Sequence, residues 1–333
     1  MAENSGLPIL DKALDEANFY LKQSLPPWNE ASGLQRLIIF FFKLAIILPV
    51  LILIGIIIAG YSLYIIFYVY PLVSSTSDSP DLYFWHSNSE KFTAELRGWV
   101  CFGLSSWNLF WLCISVYRAM MTSPGEVPNT STWEITSINK EVSESTPLTT
   151  ENRKDGGIRI CVHCNLKKPD RCHHCKQCGK CCLKMDHHCN WIANCVGYYN
   201  YKYFYLTIFY GASAMAIFIA TFWESVVVAL YDKETSNSMS FIIVLTYSLM
   251  TMLGVTIIAF CIFHTWMIAN NYTSIEFCEK RRFKVPGYEK SPYSISTIEN
   301  FKEALGQNPL LWYFPFESRG KEDKGLYFKS KKY

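Results

Sequence analysis

Four apolar runs constrain this chain more than any other feature: Leu44 to Tyr70, Trp99 to Tyr117, Tyr203 to Val228 and Phe241 to Ile268. A bilayer hydrocarbon core takes about 20 helical residues to cross. No water is available there to satisfy backbone N–H and C=O groups, so each run is predicted to be a transmembrane helix. Glu224 is the one formal charge in the four runs, near enough to the end of its run to reach the interface. Four crossings put both termini on one side. Lys and Arg choose that side: residues 1 to 43, 118 to 202 and 269 to 333 hold 4, 12 and 12 of them, and the other two loops hold only Lys91, Arg97 and Lys233. The positive-inside rule therefore predicts cytosolic termini and a cytosolic segment between the second and third spans. The sequons at Asn129 and Asn271 then face the side where glycosylation does not occur. The formal charge of +3 favours no particular partner, and no nucleic-acid contact is expected.

The segment between the second and third spans is dominated by thiols and imidazoles. Nine cysteines and five histidines fall within the 35 residues from Cys161 to Cys195. A reducing compartment disfavours disulfides and favours metal binding or catalysis. Cys161-x-x-Cys164 and Cys175-x-x-Cys178 have zinc-knuckle spacing, which turns two thiolates onto one tetrahedral ion. His174, Cys181, His188 and Cys195 are available to complete two four-ligand sites. The segment has few apolar residues for a core, so metal binding is expected to supply its folding energy. Cys189 is left beside His187 and Asp186, the residue set that an activated sulfur nucleophile requires.

Elsewhere the sequence is less specific. Leu7, Ile9, Leu10, Leu14, Phe19, Tyr20 and Leu21 fit either a short helix on the membrane surface or an irregular lead-in. The first span is expected to act as its own targeting signal. Thr122 to Asp155 is rich in Ser, Thr and Glu and reads as a flexible linker. Lys280-Arg281-Arg282 directly after the fourth span reads as a headgroup anchor. An aromatic tail follows, with Trp312, Tyr313, Phe314 and Phe316.

Cys161-x-x-Cys164, Lys168-Pro169-x-Arg171, His173-His174-Cys175, Cys178, Cys181, Asp186-His187-His188-Cys189-x-Trp191, Asn194-Cys195-Val196-Gly197, Asn200 and Phe204 together resemble the cysteine-rich domain of the DHHC family of protein S-acyltransferases. Thr273-Ser274-Ile275-Glu276 and Asn300 to Gly306 resemble the family's two later motifs. The resemblance implies an α-helical polytopic membrane protein, with four transmembrane helices and a cytosolic zinc-stabilised domain between the second and third. The divisions are an N-terminal segment (1–43), spans one and two (44–117), the linker (118–157), the catalytic cysteine-rich domain (158–202), spans three and four (203–268) and a cytosolic tail (269–333). The resemblance also implies that Cys161, Cys164, His174 and Cys181 hold one Zn2+ while Cys175, Cys178, His188 and Cys195 hold the other. Cys172, Cys182, His163 and His173 lie outside both sets.

The activity so implied is transfer of a long-chain acyl group, such as palmitoyl, from acyl-CoA to protein cysteines through a thioester on Cys189. His187 is the base and Asp186 its orienting group. Trp191, Arg171 and Lys184 are expected contacts for acyl-CoA. The alternative is a non-catalytic zinc-stabilised membrane scaffold, which needs the metal ligands but not Asp186, His187 or Cys189. Two positions depart from the family pattern. Asn190 replaces Pro, which frees the backbone and adds an N–H, and Ser274 replaces Thr while keeping a hydroxyl. Small residues at Gly211-Ala212-Ser213-Ala214 of the third span are expected either to leave room for the acyl chain or to serve close helix packing. The implied partners are the bilayer and membrane-associated proteins with cytosolic cysteines, with an accessory subunit as a further candidate. Lys331-Lys332 near the C-terminus resembles a dilysine retrieval signal, pointing to endoplasmic reticulum or Golgi membranes.

Overall fold

The computed structural model describes residues 31–74, 88–130, 133, 151, 157–231, 236–281, 290–317 and 325–329. The apolar positions before residue 30, residues 131, 132, 134–150 and 152–155 of the Ser/Thr-rich linker, Lys233, the side chains of the basic cluster after the fourth span and Lys331-Lys332 lie outside the described residues.

Each apolar run is one long helix. Helix α1 covers Gly33–Tyr64 and runs on through a π-turn, Ile65–Val69, to Val73. Helices α2 (Asn88–Met121), α3 (Tyr201–Tyr231) and α4 (Asn237–Ala269) complete a set of four, among the described residues, that are long and apolar enough to cross a membrane. All four extend past the apolar runs, because polar residues outside hydrocarbon can continue the same backbone hydrogen bonding. Three antiparallel hairpins lie between α2 and α3 in the chain. They pair β1 (Ile160–Cys161) with β2 (Leu166–Lys167), β3 (His173–Cys175) with β4 (Lys180–Cys182), and β5 (His187–Cys189) with β6 (Asn194–Val196). Beyond α4 come a short helical turn at Ser274–Glu276 and helix α5 (Thr297–Leu305).

The chain divides into two compact units. One comprises Ile52–Ile114 and Tyr205–His264. Its core packs Tyr64, Tyr68, Leu72 and Cys101 with Phe218, Phe222 and Val226. Glycines permit close helix approach there: a Cβ on Gly60 would meet the Met250 methyl at 2.7 Å, and one on Gly254 would meet Ile219 at 2.8 Å. Glu224 is held by an ion pair with Arg97 at 2.8 Å, which neutralises the charge that the sequence placed in the third span.

The other unit, Met1–Leu51, Ser115–Phe204 and Thr265–Tyr333, carries the hairpins. Asn residues tie its parts together by satisfying carbonyls that helix ends leave open. Asn194 Nδ2 donates to the carbonyls of Ala119, Met120 and Thr122 at 2.9 to 3.1 Å, so β6 is fixed to the end of α2. Asn300 Nδ2 in α5 donates to Ala269 O at the end of α4 at 2.8 Å. Gly197 sits where chains cross: a Cβ there would lie 2.5 Å from Cys182 Sγ and 2.8 Å from the carbonyl oxygens of Leu183 and Pro124. The tail returns to this unit, with Leu326 packed into the core formed by Cys172, Leu183 and Tyr198.

Candidate active site and metal centres

Successive side chains on a strand point to opposite faces, and that alternation sorts the motif residues. On β3, His174 and Cys175 face opposite ways. His174 is paired across the hairpin with Cys181, and Cys175 with Lys180. His174 and Cys181 join Cys161 and Cys164 in one cluster, and Cys175 joins Cys178, His188 and Cys195 in another. Within each cluster the ligand atoms lie within 4.8 Å of one another. Representative edges are 3.2 Å for Cys164 Sγ to His174 Nδ1, 3.3 Å for Cys178 Sγ to Cys195 Sγ and 3.6 Å for Cys175 Sγ to His188 Nδ1. Two thiolates about 2.3 Å from a tetrahedral ion would be about 3.8 Å apart, so both clusters could close on a metal with little movement. Gly179, at φ 65°, supplies the left-handed turn that follows the second Cys-x-x-Cys. These are the two ligand sets expected from the sequence, interleaved as expected.

The same alternation divides Asp186-His187-His188-Cys189. On β5, His188 lies opposite Cys195 and turns to the metal cluster, while His187 and Cys189 share the other face. Asp186 is fully buried, and its carboxylate accepts hydrogen bonds from His187 Nδ1 at 2.8 Å, Ser274 N at 2.8 Å and Ser274 Oγ at 2.7 Å. An ionised carboxylate can only accept, so Nδ1 carries the proton and Nε2 is the ring nitrogen left for exchange. Burial opposes charge on His187, but the hydrogen bonds to Asp186 and to the Cys189 sulfur outweigh it and push its pKa up to about 10. A raised imidazole pKa means that a proton taken from sulfur stays on the ring. The ring is braced edge-on by Phe204, centroids 4.9 Å apart, from the first turn of α3. The Ser274 hydroxyl thus makes the bond that the expected Thr would make.

The placement of Asp186 depends on a second layer of contacts, which holds Ser274 in place. Thr273-Ser274-Ile275-Glu276 forms a capping box: Thr273 Oγ1 accepts from Glu276 N at 3.2 Å, and Glu276 Oε2 accepts from Thr273 N at 3.0 Å. Glu276 also takes Arg171 in a two-point ion pair, Nε to Oε1 at 2.7 Å and Nη2 to Oε2 at 2.8 Å. Arg171 donates further to Asn271 Oδ1 at 2.9 Å and lies 4.5 Å over the Tyr293 ring. The capping-box spacing was available as a signal for this layer. Arg171 was expected at CoA phosphates, but it is 1 % exposed, so it acts as an internal tie rather than a phosphate contact. Lys184 is likewise engaged with Glu303 Oε1 at 2.6 Å, and these cations hold the Glu303 pKa at about 2 against the upward pull of burial. Trp191 remains half exposed.

Comparison with known proteins agrees with this geometry. A family model described as DHHC palmitoyltransferase matches residues 154–281. Palmitoyltransferase ZDHHC15A of Danio rerio is 30% identical over 288 residues, covering 82% of each chain. Probable protein S-acyltransferase 14 of Arabidopsis thaliana is 33% identical over 218 residues, 60% of this chain and 66% of the relative. Palmitoyltransferase ZDHHC2 of Mus musculus is 34% identical over 166 residues, 50% of this chain and 45% of the relative.

Proposed function

The chain belongs to the DHHC palmitoyltransferase family, and from that premise we propose that it is a protein S-palmitoyltransferase whose acyl group is carried on Cys189. The observation that carries the assignment is the division of β5: His188 turns to a metal cluster, while His187 and Cys189 share the opposite face with Asp186 behind the imidazole. A scaffold would need only the first face.

In the proposed cycle His187 Nε2 takes the Cys189 proton, and the thiolate attacks the thioester carbon of a long-chain acyl-CoA. The CoA sulfur leaves with the bonding pair and is reprotonated from the imidazolium. A substrate cysteine then gives its proton to His187 and attacks the acyl-enzyme, returning Cys189 as leaving group. One thioester replaces another at each step, so the chemistry is close to neutral. The lipid dominates the energetics, since withdrawing a palmitoyl chain from water is worth on the order of 10 kcal/mol at about 0.8 per methylene. An enzyme embedded in the bilayer meets that demand by housing the chain among its helices.

The donor sets fit Zn2+: three thiolates and one imidazole each, the four ligands that a structural site requires. Cys161, Cys164, His174 and Cys181 would hold one ion, and Cys175, Cys178, His188 and Cys195 the other. When bound, zinc would supply the folding energy of hairpins only two or three residues long. The distribution of Lys and Arg supports cytosolic termini and cytosolic access for substrate cysteines. The resemblance of Lys331-Lys332 to a dilysine retrieval signal supports an endoplasmic reticulum or Golgi location. The test is incubation of purified protein with labelled palmitoyl-CoA. A hydroxylamine-sensitive label on the protein supports the reading, and its absence from folded, zinc-loaded protein rejects it.

A further inference from the structure

A pocket of about 200 Å3 lies apart from the residues of the proposed reaction, where α2 ends and α3 begins. Its walls are Arg118, Thr122 and Ser123 from the end of α2, Lys202 and Tyr203 from the start of α3, and Glu317 from the tail. Spans that cross a bilayer reach its headgroup layer where they end, so this is a pocket at headgroup depth. Arg118 is the significant member. Its guanidinium lies 4.6 Å from the Tyr203 ring centre and donates from Nη2 to the Tyr203 hydroxyl at 2.6 Å. Its Nε is buried without a hydrogen-bond partner, and among the described residues it makes no ion pair with a carboxylate. Nε is sealed from solvent and Nη2 is taken by Tyr203, so Nη1 is the guanidinium nitrogen left to meet a ligand. Lys202 Nζ is fixed by the carbonyls of Leu311 and Phe316 at 2.8 and 3.2 Å, which holds a second cation in place.

We propose that this pocket binds the phosphodiester of a membrane phospholipid headgroup. A phosphate is the planar fork's natural partner among membrane components, and the hydroxyls of Thr122 and Ser123 can donate to its remaining oxygens. The volume is below the roughly 300 Å3 at which sites for drug-sized ligands begin, so it suits a headgroup with its acyl chains left in the bilayer and excludes an entire nucleotide cofactor. Glu317 in the pocket lining repels additional negative charge, so a singly charged phosphodiester is favoured over a headgroup bearing further phosphates. The bound lipid would brace the tail segment carried by Lys202 against the end of α2.

The test uses the full chain, purified in detergent and stripped of lipid, with bound ligand counted by native mass spectrometry. The probes are dioctanoyl-phosphatidylglycerol, dioctanoyl-phosphatidylethanolamine, dioctanoylglycerol and inorganic phosphate. One phospholipid per chain is expected, with dioctanoylglycerol and inorganic phosphate each retained at least tenfold more weakly. Arg118→Gln should weaken phospholipid retention about tenfold, Arg118→Lys should weaken it less, and both should keep wild-type zinc content. Glu317→Gln should strengthen retention of dioctanoyl-phosphatidylglycerol, a gain that damaged folding would not produce. Equal retention by Arg118→Gln and wild type, equal retention of dioctanoylglycerol, tight binding of phosphate alone, or no gain with Glu317→Gln would overturn the proposal.

Discussion

At the scale of single residues, the site is a chain of groups each held by the next. Ser274 contributes two hydrogen bonds to Asp186, and only one of them comes from its side chain. Ser274→Ala should therefore lower the rate of self-acylation without abolishing it. A hydrogen bond to a charged group is worth about 1.5–3 kcal/mol, which is about a tenfold to hundredfold loss, and Ser274→Thr should be near wild type. Single-turnover labelling of the three proteins measures this. The two adjacent histidines should separate cleanly. His187→Ala should lose labelling while keeping both metals, whereas His188→Ala should lose one metal and its fold with it, as read by metal analysis and melting. That Cys189 differs from its eight metal-directed neighbours was legible from the resemblance to the family motif, since spacing alone also leaves Cys172 and Cys182 outside the metal sets. The reason lies in strand periodicity, which the sequence reading did not apply: residues two apart share a face, so His187 goes with Cys189 and His188 does not.

At the scale of elements, the hairpins are too short to stand alone. Removing metal with a strong chelator should melt residues 158 to 202 while the long helices remain, seen as lost amide-exchange protection confined to that region. Gly197 is a second point of dependence. A methyl group there would meet a sulfur at 2.5 Å and two backbone carbonyls at 2.8 Å. Gly197→Ala should cost at least the 1–3 kcal/mol typical of overpacking and lower the melting temperature. The capping box at Thr273 to Glu276 could be read from its spacing alone. Its link to Arg171 could not, because the partners are 105 residues apart and meet only in the folded chain. The same tertiary pairing explains why Arg171 and Lys184, read as CoA contacts, are turned inward. Removing one partner of such a buried pair, as in Glu276→Gln, should cost about 3–5 kcal/mol. Thermal unfolding with metal content held constant would show it.

At the scale of the whole molecule, hydropathy located all four helices, since bilayer thickness and backbone satisfaction leave few alternatives; their ends could not be read because helix continues outside hydrocarbon. The acyl chain gives a further test. If Gly211 to Ala214 of α3 leave room for it, Ala214→Phe should shift preference toward shorter chains. Competition between 14- and 18-carbon acyl-CoAs would read that shift, and an unchanged ratio would assign those small residues to helix packing. The central claim is that, of the nine cysteines between Cys161 and Cys195, Cys189 takes the acyl group while eight Cys and His side chains hold two metals. Intact-mass measurement of wild type and Cys189→Ser after exposure to palmitoyl-CoA, with metal counted on the same samples, tests it directly. The account predicts one hydroxylamine-sensitive acyl group on wild type, none on Cys189→Ser, and two zinc ions on both; normal acylation of Cys189→Ser, or loss of a zinc from it, would contradict the account.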